Sequence, residues 1–237
     1  MRNLGVWIEI GGLQTYVGRI IGEKEEDARF SYAEEYLSGN IARPISIHLP
    51  LSENAFSVDD TRNFFEGLLP EGFTRRCVAG LLHTDANNYL SLLAGLGNEC
   101  LGAIKITDEN NEVVNADYQK LTIDEVSQLA REGAMETAEL VTKSHLSLTG
   151  ASGKVGLYYE NNKDWYLPKG SAPSTHIVKQ SHVRLDGIVT NEQLCMMTAG
   201  NMGIEIPESF IVNVGDGRDE EVLLATKRYD RAIKDGL

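Results

Sequence analysis

Residues 147–179 read SLTGASGKVGLYYENNKDWYLPKGSAPSTHIVK. Gly150 and Gly153 form a glycine-rich turn, and Lys154 follows at once. A second lysine, Lys179, closes a later alternating run, and Glu192 falls at the start of a helical pattern. Glycines let backbone N–H groups approach closely, and ammonium groups supply charge, which is what a phosphate requires. Two devices are built this way. The phosphate loop G-x-x-x-x-G-K-[ST] needs a distant first glycine, then a Ser or Thr for magnesium, then a helix. Here Leu148 takes the first glycine's place, Val155 takes that of the Ser or Thr, and a strand pattern follows. The magnesium-binding hydroxyl is missing, so that device is excluded. The second device is a β-hairpin lid over ATP phosphates, with a lysine on a later strand and a glutamate on the next helix that orients it. The chain has these parts in this order, and LLATKRYD would then lead to a hinge that holds adenine. On spacing alone a blander reading stays open: an ordinary Gly-x-x-Gly hairpin, a solvated strand-end lysine and a structural ion pair.

Strands and helices must position these residues. LGVWIEI puts Val6, Ile8 and Ile10 on one face at period two. Gly11-Gly12 and the alternating LQTYVGRII complete a β-hairpin. ARFSYAEEYL reads as a strand with a short helix, and RPISIHLPL as another strand ended by Pro50. TRNFFEGLL spaces Phe64, Phe65, Leu68 and Leu69 at helical intervals until Pro70 stops it. TRRCVAGLLH and NNYLSLLAGLG continue as helices, and CLGAIKI reads as a strand. Thr122 and Glu125 make a capping box for a helix from about Ile123 to near Gly133. Strands then return in HLSL, VGLYYE, DWYLPK and THIVKQ. Thr190 and Gln193 form a second capping box, opening the helix NEQLCMMTAGNM, and Gly203 stands where a helix end favours a left-handed residue. ESFIVNVG and EVLLATKRYD make a last pair of strands. The fold class is α+β: a mixed β/α unit over residues 1–142, then a unit over 143–237 of antiparallel sheet plus one helix.

Composition narrows the function. The 237 residues are 42% hydrophobic and 24% charged, ordinary for a globular protein. A net charge of −13 argues against gripping nucleic acid or an anionic membrane through the overall field. Cys77, Cys100 and Cys195 fit no zinc spacing or disulfide framework, which suits a reducing cytoplasm, and read as small buried hydrophobes. His48, His83, His145, His176 and His182 have no metal spacing, so no metal site is expected on this chain. The apolar run in MRNLGVWIEIGG is short and broken by Glu9, unlike a signal peptide. No run approaches the roughly 18 residues of a membrane span. Trp7 and Trp165 read as packing residues, and Glu23–Asp27 as a solvated acidic loop.

LSLTGASGKVGLYY, WYLPKG, STHIVKQ, NEQLCMMTAGNMGIEIPE and TKRYDR resemble, in that order, the HipA toxin-kinase family. VWIEIGGLQTYVGRI, RPISIHLPL, NFFEGLLPEG and LLAGLGNECLGAIKI resemble that family's own N-terminal subdomain. Each motif is loose, but the set in order covers nearly the whole chain. The resemblance implies a bacterial serine/threonine kinase using ATP and magnesium, with a kinase N-lobe over residues 143–237. It implies a toxin linked to growth arrest and persistence, neutralised by a DNA-binding HipB-like antitoxin, with DNA met only through that antitoxin. The best-known member's substrate is an aminoacyl-tRNA synthetase.

Carried over by motif, Ser147 matches the loop serine that is autophosphorylated. Thr149, Gly150, Ala151, Ser152, Gly153 and Lys154 match the phosphate-covering loop, and Lys179 matches the ATP-contacting lysine. Lys227 and Tyr229 fall where the hinge contacts adenine, and Glu192 is placed to orient Lys179. A known family loop reads Gly-Ala-Gln-Glu-Lys, whereas this one reads Gly-Ala-Ser-Gly-Lys, and Lys227 stands where that member has an acid. The family's catalytic base and metal-binding aspartates follow the hinge, and the sequence ends soon after it. The expectation is therefore a chain without the C-terminal catalytic lobe, with no catalytic residue of its own, inactive alone and weak or silent toward ATP. The alternative is a stand-alone binding or antitoxin-like regulatory protein that docks on a separate kinase core.

Overall fold

The structure is a computed structural model that describes every residue except 1, 11–12, 98–99, 101, 109–115, 133, 145–147, 149–152, 162, 171, 182–185 and 232–237. It opens with β1 (Arg2–Ile10) and β2 (Leu13–Gly22), antiparallel as the alternation predicts. Leu4, Val6 and Ile8 recur at period two and are all buried. β3 (Arg29–Tyr32) pairs with β2 and leads into α1 (Glu34–Leu37). Gly18 allows that pairing: a Cβ there would lie 2.1 Å from the Ser31 carbonyl oxygen.

Three helices cover this sheet: α2 (Val58–Glu66), α3 (Gly72–Leu81) and α4 (Tyr89–Leu96). Ser57 and Asn88 cap the first and last of them by accepting from Asp60 N and Ser91 N. Phe65, Leu90, Leu92, Leu93 and Leu96 are buried beneath them. β4 (Ile104–Asp108) then pairs with β1, giving the order β3-β2-β1-β4.

RPISIHLPL is not a strand. Residues 43–51 make only an isolated Ser46–Leu49 bridge, and Ile47 is 88% exposed. The Tyr32 hydroxyl replaces a ladder here: it accepts from Ile45 N at 3.0 Å and donates to Leu49 O at 2.5 Å. Pro44 and Pro50, which lack N–H groups, suit such a loop.

β5 (Asp117–Lys120) crosses to a second sheet. α5 (Ile123–Glu132) begins at the expected capping box, in which Glu125 accepts from Thr122 N at 2.7 Å and Thr122 Oγ1 accepts from Glu125 N at 3.2 Å. A further helix, α6 (Ala134–Ser144), follows where Gly133 reads as a helix stop. Its Ala138, Leu140 and Val141 are buried, and it packs on α3.

Next come β6 (Lys154–Glu160), β7 (Asp164–Lys169), β8 (His176–Gln180), α7 (Ile188–Asn201), β9 (Ser209–Asn213) and β10 (Val222–Lys227). The second sheet is antiparallel throughout, in the order β5-β7-β6-β8-β10-β9. The fold is therefore α+β, with mixed β/α structure first and an antiparallel sheet carrying one helix last. The strand β5 lies before residue 142 in the chain and yet belongs to the later sheet.

The Thr190–Gln193 capping box does not form. α7 starts at Ile188, with Gly187 in left-handed conformation (φ 71°) at its N-cap, so Thr190 lies inside the helix. Buried Val189, packed with Val222 and Leu224, accounts for the extra turn. Gly203 takes the left-handed conformation expected of it (φ 83°). The HLSL run lies outside the described residues except for Leu148, which is buried. Of the cysteines, Cys100 is buried and Cys77 half-buried, but Cys195 is exposed. Trp165 packs in the core, and the Trp7 indole donates to Thr107 Oγ1. Val155, Leu157, Val178, Leu223 and Ala225 of the second sheet share one hydrophobic core with the first.

Candidate functional site

The alternation of β8 decides which side chains can reach a ligand. His176, Val178 and Gln180 are buried toward the core, while Ile177 and Lys179 are half-buried on the opposite face. β6 pairs with β8 so that Lys154 lies directly opposite Lys179, and Gly156 opposite Ile177. Directly opposed residues of an antiparallel pair project to the same side, so two ammonium groups share this face. α7 covers it from one end, and Lys179 Nζ donates to Glu192 Oε1 at 2.5 Å.

Electrostatics sharpen the arrangement. Burial pushes the Lys154 ammonium below the ordinary lysine range, and the neighbouring Lys179 adds to this. Glu192 and Glu71 oppose the fall. Glu71 is the N-cap residue of α3, so a charge from the helices of the first sheet is felt at Lys154. Gly153 lies at the head of β6, where a Cβ would stand 2.1 Å from the side-chain nitrogen of Gln180. That glycine lets the approach to β6 lie close against β8.

The structure thus brings Lys154, Lys179 and Glu192 together, with Gly153 beside them. Lys227 and Tyr229 stand at the far end. Lys227 is opposite His176 and Leu224 is opposite Lys179, a separation of roughly 10 Å along the strand. The Lys227 ammonium is exposed and 3.1 Å from Glu208 Oε2, and Tyr229 is 91% exposed. Ser147, Thr149, Gly150, Ala151 and Ser152 lie outside the described residues.

Two cations with one shared carboxylate fit phosphate oxygens. They do not fit magnesium, which requires oxygen ligands. Glu192 is engaged by Lys179, and no group of His, Cys, Asp and Glu among the described residues has the makings of a metal site. The described side chains thus offer a place for anionic oxygens, and none of them forms a magnesium site.

Sequence reading missed one group entirely. Arg228, with its side chain 0% exposed, donates to both carboxylate oxygens of Asp230, at 2.9 and 2.7 Å. Its Nη1 also donates to Ser174 Oγ at 2.8 Å. Arg231 donates to the carbonyls of Gly102 and Cys100, far away in sequence. The only signal was the alternating charge in KRYDR, which does not reveal its partners.

Residues 8–107 match the family model described as the HipA N-terminal domain. Residues 146–235 match the model described as the HipA-like C-terminal domain. A Sinorhizobium fredii protein described as "Putative kinase Y4mE" is 31% identical over 98% of this chain and 54% of its own length. An uncharacterized Haemophilus influenzae protein is 30% identical over 39% of this chain and 86% of its own length. Among solved structures, the Shewanella oneidensis toxin–antitoxin complex of HipA, HipB and operator DNA is similar in fold. Its TM-score is 0.76 at 24% identity, over 99% of this chain and 52% of that one. The chain spans about half the length of Y4mE and of that solved structure.

Proposed function

The chain belongs to the HipA family, and from that premise we propose that it carries the nucleotide-facing part of a serine/threonine kinase acting as the toxin of a bacterial toxin–antitoxin pair. One observation supports this above the others: Lys179 is held by Glu192 on the next helix while Lys154 faces Lys179 across the sheet. In this reading Glu192 fixes the Lys179 ammonium in place, and both lysines neutralise phosphate oxygens. The Thr149–Lys154 loop covers the phosphates with backbone donors, and the strip from Lys227 to Tyr229 meets adenine. ATP supplies the transferable phosphoryl group when bound. Ser147 is the regulatory phosphorylation site, where a phosphate would add about −1.5 to −2 charges beside donors meant for nucleotide.

This chain holds phosphate but does not transfer it, because it offers no catalytic base in a kinase-type motif. Its partners in this reading are a HipB-like antitoxin, DNA through that antitoxin, and a protein substrate of the aminoacyl-tRNA synthetase class. Its place of action is the cytoplasm. Among the described residues no helix is long and apolar enough to cross a membrane.

Titration with ATP, followed by NMR of the lysine side chains, tests the proposal. The expected result is weak binding, no tighter than about 1 mM or roughly 4 kcal/mol, that shifts Lys154 and Lys179 and disappears in Lys179→Met. No shift at either lysine would refute it, and phosphate transfer by the chain alone would refute the inactivity. The Haemophilus influenzae relative favours a second reading. Most of its length corresponds to part of this chain, so related sequence does occur as a short protein. In that reading the chain is a binding or antitoxin-like protein that docks on a separate kinase core, and co-purification with such a core decides between the two.

A further inference from the structure

We infer that Asp230 and Arg231 are positioning residues that lock the strip after β10 onto the Cys100 and Gly102 backbone, just ahead of β4 of the first sheet, so that the first sheet sets where Tyr229 stands. What this strip reads rests on the function proposed above; the lock itself does not. Four observations support it.

First, the strip is pinned from both sides. Arg228 N donates to Thr175 O at 2.9 Å, and the Arg228 guanidinium reaches Ser174 Oγ. On the other side, Asp230 Oδ2 accepts from Gly102 N at 3.0 Å. Arg231 Nη1 donates to Gly102 O at 2.6 Å, and its Nη2 donates to Cys100 O at 3.2 Å. Second, Gly102 has φ 68°, a conformation glycine adopts without strain, and there it turns both its N–H and its C=O to the strip. Third, the carboxylate is shared. Asp230 accepts from Arg228 at 2.7 Å and from Arg231 at 3.1 Å through the same oxygen that meets Gly102. Charge-assisted, two-pronged contacts of this kind fix orientation as well as distance. Fourth, the residues around the lock have contrasting exposure. The Arg228 side chain is fully buried, whereas its neighbour Tyr229 is 91% exposed.

Cys100 and Gly102 lie between α4 and β4, and β4 pairs with the central strand β1. A displacement of the first sheet would therefore be carried to Tyr229 through hydrogen bonds rather than through a flexible linker. Binding of a partner to the first sheet could alter the strip without touching it. A lock of this kind needs an element with two arrangements to become a switch; the hydrogen bonds supply the mechanical link alone.

Hydrogen–deuterium exchange on the whole chain tests the lock. Asp230→Asn would strip the carboxylate charge from the buried Arg228 and could unfold the chain, so Arg231→Gln is the principal variant. The Arg231 side chain is 18% exposed, and its loss leaves the Arg228–Asp230 pair intact. Exchange should rise roughly tenfold, equivalent to about 1.4 kcal/mol, at residues 102–106 and at 226–231 together. Protection in β6 and β8 should not change. Arg231→Lys, which can reach one carbonyl at a time, should restore part of the protection in both segments. Lys143→Gln, at an exposed helical pair, should alter neither. A rise in only one segment, or in neither, would overturn the inference, as would a uniform rise across the second sheet. Adenosine titration of the same samples separates the two ideas. Absence of any adenosine effect at 226–231 in the parent chain would overturn the purine-reading role, and the exchange data would still decide the lock.

Discussion

Glu192→Gln and Lys179→Met should have unequal costs, although they break the same ion pair. The pair is short, at 2.5 Å, but its side chains are 23% and 37% exposed. Ion pairs in such surroundings contribute about 0.2–1 kcal/mol. Lys154 supplies the asymmetry because it faces Lys179 directly across β6 and β8. Opposed Cβ atoms lie roughly 5 Å apart. The side chains that rise from these positions carry their ammonium groups on the same face, and Lys179 helps to lower Lys154; such like charges repel by up to about 1 kcal/mol in a water-like dielectric. Glu192→Gln forfeits the attraction and leaves the repulsion as it was, so it should destabilise by about 0.2–1 kcal/mol. Lys179→Met also forfeits the attraction, but it removes the repulsion and keeps an apolar stem of similar reach, so its cost should stay within about 0.5 kcal/mol. Urea denaturation of both single variants and the double variant, followed by tryptophan fluorescence, gives the coupling energy directly. The inequality should shrink at high salt as screening shortens. In Glu192→Gln the Lys154 ammonium should also fall further below the ordinary range, since Glu192 helps to hold it up. Equal costs for the two single variants, or a difference insensitive to salt, would refute the cross-strand argument.

Thr122→Ala should cost about 1 kcal/mol in chemical denaturation by removing one arm of the α5 capping box. The Thr122 backbone N–H and hydroxyl hold the Glu125 carboxyl below the usual range, so that stabilisation is full above about pH 4.3 and is lost as the pH falls through the lowered value. Gly18→Ala should destabilise by about 1–3 kcal/mol, because the new methyl meets the Ser31 and Tyr32 backbone; calorimetry reads it as a lower Tm. Burial depresses the His176 imidazole, with Lys227 adding and Glu208 opposing. Its stabilising contribution is therefore complete above pH about 6.5 and fades as the pH falls through the lowered folded value. An NMR midpoint at or above 6.5 for the ring protons would contradict this.

What the sequence reveals depends on how local the cause is. The β1–β2 hairpin needs only period-two alternation around two glycines, and the Thr122–Glu125 box needs only neighbouring residues. The Lys179–Glu192 contact is also legible, because strand and helix follow one another and their order is a device in itself. The opposition of Lys154 and Lys179 is not: it requires the β6–β8 register, which no single strand discloses. Gly133 reads as an end when another helix, held on α3 by buried Leu140 and Val141, follows it. Thr190 has the right neighbour for a cap, yet burial of Val189 outweighs it. In RPISIHLPL a distant hydroxyl, that of Tyr32, takes the place of a ladder. The Arg228–Asp230–Arg231 group is the extreme case, since its partners Cys100 and Gly102 lie more than a hundred residues earlier in the chain.

The strand β5 has a practical consequence. It is the outermost member of the second sheet and shields the outer edge of β7, although it is encoded ahead of α5 and α6. Its four residues, DYQK, are mostly exposed and charged or polar, which makes a poor template for another chain. A recombinant piece starting at residue 143 would lose that guard. The uncovered rim of β7 runs from Tyr166 to Lys169, and its N–H and C=O groups lose their partners except at Pro168, which has no N–H. Such a rim recruits a second copy edge to edge, so the piece should aggregate faster than one starting before Asp117, although both uncover the core shared with the first sheet.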